Sequence, residues 1–95
     1  MRLLWFSWKD IKHPYAGGAE FLSDKILSAS VKDGHEVLLI TSTYPGASHK
    51  DKIHGYSVIR MGNHISVYWE AFRYYTKHLV GWADHIVEEI NTIPF

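Results

Sequence analysis

Short apolar runs alternate along this chain with longer segments whose apolar residues recur every three or four positions. That alternation predicts strands and helices in turn, as in an α/β fold. Leu3 to Trp8 is apolar apart from Ser7, which suits a strand of a parallel sheet covered on both faces. Val37-Leu38-Leu39-Ile40 repeats the pattern and predicts a second buried strand. Between them, Ala19 to Lys32 carries Leu22, Ile26 and Ala29 on one helical face. Glu20 in its first turn and Lys32 in its last each favour the helix dipole, and Gly34 supplies the C-terminal stop.

From Tyr56 to Met61 the pattern is mixed, with Tyr56 and Val58 on one side and Ser57, Ile59 and Met61 on the other, which predicts a strand nearer the sheet edge. Ser66 stands where it would cap a second helix, in which Tyr68, Phe72, Tyr75, Leu79 and Trp82 recur at steps of four and three. Glu70, Arg73 and Lys77 fall outside that stripe, so the aromatic side is expected to be core. Ile86 to Ile90 then reads as a fourth strand. The predicted unit is a Rossmann-like, mostly parallel sheet with flanking helices, spanning 1–95 as one partial domain. A doubly wound sheet ordinarily continues with more elements. The apolar Ile93 and Phe95 just past the last strand therefore point to a truncated domain.

Composition narrows the chemistry by exclusion. Lys plus Arg and Asp plus Glu number ten each, so no net field draws in nucleic acid. Cysteine is absent, which leaves no disulfide, thiolate metal site or cysteine nucleophile. Leu3 to Phe6 is far too short to span a bilayer and carries no signal-peptide cleavage pattern, so a cytoplasmic location is the expectation. The seven histidines, His13, His35, His49, His54, His64, His78 and His85, lack the paired helical spacing of a zinc site, and neither a metal nor a cofactor is assigned. His13 stands apart only by its place in the first loop.

That loop is where chemistry is expected, because ligands of open parallel sheets bind outside the carboxyl ends of the strands. Lys9 to Gly18 is a connection of unusual length for a strand-to-helix link, and it ends in a glycine pair that opens a helix. Gly17 and Gly18 would let backbone approach a ligand and offer free N–H groups to a phosphate or sugar hydroxyl. The competing reading is a tight turn that needs positive φ. Several nucleotide motifs are excluded. The third glycine of a dinucleotide fingerprint is missing, and Thr41-Ser42-Thr43 stands where a ribose-binding carboxylate belongs. Asp10 follows the first strand, but the third ends in Met61-Gly62 without a receiver's acceptor aspartate, and no Walker phosphate loop occurs. Of Glu88 and Glu89, adjacent strand residues, at most one can face a cleft, and Asn91 and Thr92 beyond them offer hydrogen bonds to a substrate or an Asx turn.

The run Pro14-Tyr15-Ala16-Gly17-Gly18-Ala19-Glu20, followed after the helix by Asp33-Gly34-His35-Glu36-Val37 and a strand ending in Thr41, resembles the start of family 4 glycosyltransferases, retaining enzymes of the two-domain GT-B fold. Asp84 to Phe95 looks like the fourth-strand region of part of the same family, so the resemblance covers nearly the whole chain. It implies an incomplete N-terminal domain that holds the acceptor, with a nucleotide-sugar donor bound by a second domain. The acceptor is a sugar or a lipid-linked sugar, which admits peripheral membrane association, and the chain alone is expected to be inactive. The resemblance places Gly17 and Gly18, with Tyr15 and Ala16 by adjacency, against substrate. Where many members carry a histidine after the fourth strand this chain has Asn91 and Thr92, so Asn91 joins the candidate binding residues and no catalytic residue is assigned. Two other readings stand beside it: a stand-alone α/β binding or interaction module without catalysis, and a small dinucleotide-binding domain.

Overall fold

The computed structural model describes residues 1–63 and 66–88. Among the described residues it is an α/β arrangement of five strands and two helices. The elements are β1 (Arg2–Phe6), α1 (Gly18–Lys32), β2 (Glu36–Thr41), β3 (Lys50–Ile53), β4 (Tyr56–Arg60), α2 (Val67–Tyr74) and β5 (His85–Glu88). The strands form one sheet in the order β3-β4-β2-β1-β5, in which only the β3–β4 pair is antiparallel.

Alternation of side chains sends successive residues of each buried strand to opposite faces, and both faces are packed. Leu4, Phe6, Leu38, Ile40, Ile59 and Met61 join Val67, Ala71 and Leu79 from the α2 side. Trp5, Val37, Leu39, Tyr56 and Val58 join Leu27 of α1 on the other. This double burial is why β1 and β2 read as continuous apolar runs.

The structure corrects several expectations. β1 stops at Phe6, so Trp8 belongs to the following loop, and β5 runs from His85 to Glu88. Glu89, Ile90, Asn91, Thr92, Ile93 and Phe95 lie outside the described residues. The strand at Tyr56 is interior. β3, whose residues Lys50-Asp51-Lys52-Ile53 bury only Ile53, takes the edge and is joined to β4 by His54-Gly55. Both turn residues have positive φ, as a two-residue hairpin of the I′ kind requires. At Gly55 a Cβ would also meet Val31 Cγ1 at 2.7 Å, so the hairpin turn sits directly on α1.

Helix α1 packs on the side opposite to the expected one. Its buried residue is Leu27, with Val31 partly buried, while Leu22 and Ile26 are exposed and Phe21 is 57% exposed. The reason is polar: Asp24 on the sheet side accepts hydrogen bonds from Tyr56 Oη at 2.7 Å and His54 Nδ1 at 2.8 Å. Burial first, and then Asp24, hold the Tyr56 phenol far above its usual pKa, so it stays a donor. The helix ends as expected: Gly34 has φ +90°, and the N–H groups of Gly34 and His35 return to Val31 and Ser30 carbonyls.

Helix α2 is also entered differently. The Ser66 side chain makes no capping bond to the helix. Instead Asn63 Oδ1 accepts the Ser66 N–H at 2.9 Å, and Ser66 Oγ accepts the Asn63 N–H and donates to Glu70 at 3.0 Å. The helix buries Val67 and Ala71, then widens into a π turn over Tyr75–Leu79 that buries Leu79. Tyr68, Tyr75 and Trp82 pack partly against this core, but Phe72 is exposed. Only part of the aromatic stripe is therefore core.

Candidate functional site

Three loops leave the carboxyl ends of parallel strands, and together they wall a cleft of about 470 Å³. The first, residues 7–17 after β1, contributes Trp8, Lys9, His13, Pro14 and Tyr15; the second, after β2, contributes Ser42, Thr43, Tyr44 and Pro45; the third contributes Asn63. This is the position that open parallel sheets give to ligands.

The first loop is held at its base by a buried ion pair. Asp10 and Arg60, the last residue of β4, are 2% and 1% exposed, and Arg60 donates from Nε to Asp10 Oδ2 at 2.8 Å and from Nη2 to Oδ1 at 3.2 Å. Arg60 Nη2 also reaches Asp51 Oδ2 at 3.2 Å, and Nη1 reaches the Ser48 carbonyl at 3.0 Å. Burial alone would lower the pKa of this guanidinium, but the hydrogen bonds and charge of Asp10 outweigh it and raise the value. Asp10 Oδ1 further accepts the Lys12 N–H at 2.8 Å, and Lys12 Nζ pairs with Asp51 at 3.1 Å. The hydrogen bonds of Lys12 and of the Lys52 N–H hold the Asp51 carboxyl below its usual range.

Above this base stands an aromatic wall. The Arg60 guanidinium lies 5.1 Å from the Tyr44 ring centre, and His13 meets Tyr44 edge to face with centroids 5.2 Å apart. His13 Nδ1 accepts the Tyr15 N–H at 3.0 Å, and the Ala16 N–H closes a turn onto the His13 carbonyl. In a neutral imidazole whose Nδ1 is an acceptor, the proton sits on Nε2. Burial, then the Lys9 charge, push the His13 pKa below its usual value and favour that neutral form. Lys9 Nζ lies 3.5 Å from Glu20 and 3.4 Å from the Tyr15 carbonyl, so its charge is matched at the mouth of the cleft.

Of the residues singled out from sequence, Tyr15 lines the cleft and is 80% exposed. Gly17 and Gly18 follow at the entry to α1, joined by the half-buried Ala16, and Asn91 lies outside the described residues. Neither glycine has a positive φ, and a Cβ at either would meet nothing within 4 Å. The tight-turn reading is thus removed: neither backbone conformation nor packing within the described residues requires glycine here. Sequence reasoning did not find Tyr44, Arg60 or the anchoring role of Asp10, which lie far apart along the chain. The described histidines are exposed or half-buried, and His64 falls outside. Among the described residues no group of three His, Asp or Glu side chains could hold a metal ion, and no helix is long and apolar enough to cross a membrane.

Neither protein-family models, nor curated proteins, nor solved structures give a match to this chain.

Proposed function

We propose that this chain is the acceptor-side part of a retaining, two-domain glycosyltransferase, its sheet the beginning of a Rossmann-like domain of the GT-B kind. The observation that carries the reading is the glycine pair: it opens α1 beside the cleft, with ordinary backbone and open space, so its missing side chains serve an approach from outside. The parallel order β4-β2-β1-β5, with helices on opposite faces, supports the same domain type. In this reading the cleft holds the acceptor against the first loop, and a second domain brings the nucleotide-sugar to it. The chain alone is inactive.

The test is to read the DNA beyond codon 95 and assay the protein from the whole reading frame for sugar transfer from a set of nucleotide-sugars. A downstream nucleotide-fold domain and transfer with retained configuration are expected. Absence of both defeats the proposal, and transfer by the isolated chain defeats its last statement. A binding module without catalysis is the second reading, favoured by the exposed Phe21, Leu22 and Ile26 of α1 and Trp69 and Phe72 of α2, which a partner would cover. A monodisperse monomer that melts cooperatively and has no downstream domain would select it.

A further inference from the structure

We propose that the cleft binds a neutral, hydroxyl-bearing ring, a sugar without phosphate, and that His13 orients it by donating from Nε2. The inference rests on the acceptor-side reading of this cleft and deepens it by naming the ligand chemistry.

Charge comes first. Lys9 in the cleft wall and Arg60 behind the Tyr44 ring are both committed. Lys9 is paired with Glu20, and Arg60 is buried beneath Tyr44 and shared between Asp10 and Asp51. Among the described residues, an anionic phosphate entering here would find no cation in the cleft wall whose charge is unmatched, and removing its hydration without such a partner is costly. What the walls do offer is aromatic surface from Tyr15 and Tyr44 with the exposed Thr43 beside it, whereas the Ser42 hydroxyl is buried and already donates to the Trp8 carbonyl. Apolar C–H faces and a rim of hydroxyls, the chemistry of a pyranose, match such a surface.

His13 gives that surface a direction. Its Nδ1 is occupied by the Tyr15 N–H at 3.0 Å, and its ring is braced against Tyr44, so the imidazole has one tautomer and little freedom to turn. Nε2 has no hydrogen-bond partner among the described residues, although the ring lines the cleft. It is therefore a fixed donor facing a ligand oxygen, and His13 is a positioning residue that cannot serve as a base while the Tyr15 contact persists.

Two measurements on the full chain test this. Nitrogen chemical shifts of the His13 ring at neutral pH should report the Nε2–H tautomer. A Nδ1–H tautomer would overturn the assigned role without touching the proposed function. Amide shifts of Tyr15, Ser42 and Tyr44 should respond to methyl glycosides of glucose, galactose or mannose at lower concentrations than to inorganic phosphate. The reverse order would overturn the ligand class while leaving a transferase open. His13→Phe, which keeps a ring, should weaken glycoside binding about two- to tenfold, the worth of one neutral hydrogen bond. His13→Gln, which keeps a donor, should weaken it less. Equal loss in both variants, with unchanged spectra elsewhere, would count against orientation by Nε2.

Discussion

The first loop has two ends that the fold treats differently. At Asp10 it is buried, charged and tied by two hydrogen bonds to Arg60 of a strand it does not adjoin in sequence. At Tyr15 to Gly18 it is open, and the two glycines meet neither strain nor neighbouring atoms. The contrast separates what the fold needs from what the proposed acceptor site would use. A loop built only as a connection would not need so costly an anchor, because a buried ion pair returns little net stability. Its value lies in fixing Arg60 under Tyr44, and through Tyr44 the His13 ring, so that the open end projects from a rigid base.

Breaking the closed end gives the largest expected effect. Asp10→Ala leaves a guanidinium buried without its main partner and should cost about 3 to 5 kcal/mol in urea unfolding. Removing both charges, as Asp10→Ala with Arg60→Met, should cost less than Asp10→Ala alone. If the double variant is the less stable, the anchor contributes net stability and the argument that it serves only to position the loop fails.

The same contrast explains how far the sequence could be read. Strands buried on both faces announce themselves as apolar runs, so β1 and β2 were legible from Leu3 onward and from Val37. β3 was not, because Lys50-Asp51-Lys52 is polar and the strand exists through its pairing with β4 and the Asp51 contacts to Lys12 and Arg60. Helix α1 was legible as a helix but not in its orientation, since it docks through Leu27 and the polar Asp24–Tyr56 bond and leaves its apolar stripe outside. The glycine pair and the long loop that opens α1 were legible in the sequence. The closed end was not, because nothing local marks Asp10 as the partner of a residue fifty positions away.

Changes at the open end should spare stability. Gly18→Ala places a better helix former at an unstrained position and should raise stability by about 0.5 to 1 kcal/mol. Gly18→Val should melt close to the wild type. In the protein from the whole reading frame, both should lower sugar transfer, the valine by about tenfold or more, as misplacement of a reacting group does. Parallel loss of transfer and melting temperature would move the glycines to the structural side of the comparison.

His13 joins the two ends, and its titration should show it. Its folded pKa lies below the unfolded value of 6.5, so an unfolded chain binds its proton first as pH falls. The neutral form's contribution is thus fully present above that value and declines below it. The stability difference between wild type and His13→Gln should be flat above about pH 7.5 and should shrink toward pH 5. A difference that does not vary over that interval would show that the imidazole is not held neutral.

The smallest effect is expected at Lys12, whose ammonium reaches Asp51 at 3.1 Å from the outer side of the anchor. Its side chain is 51% exposed, and an ion pair in that setting is worth little, so Lys12→Ala should cost no more than about 0.5 kcal/mol at neutral pH. Screening should erase the difference near 1 M salt, where the Debye length is about 3 Å, while the Asp10→Ala deficit persists because its charges are shielded from solvent. The acid limb gives the sign. Lys12 lowers the folded pKa of Asp51, so its contribution is present above the carboxylate's ordinary value of 3.8 and is lost as pH falls through the folded one. Wild type and Lys12→Ala should therefore converge in strong acid. A Lys12→Ala deficit as large and as salt-resistant as that of Asp10→Ala would mean that the anchor extends to the surface, and that the boundary between the closed and open ends of the loop lies beyond Lys12.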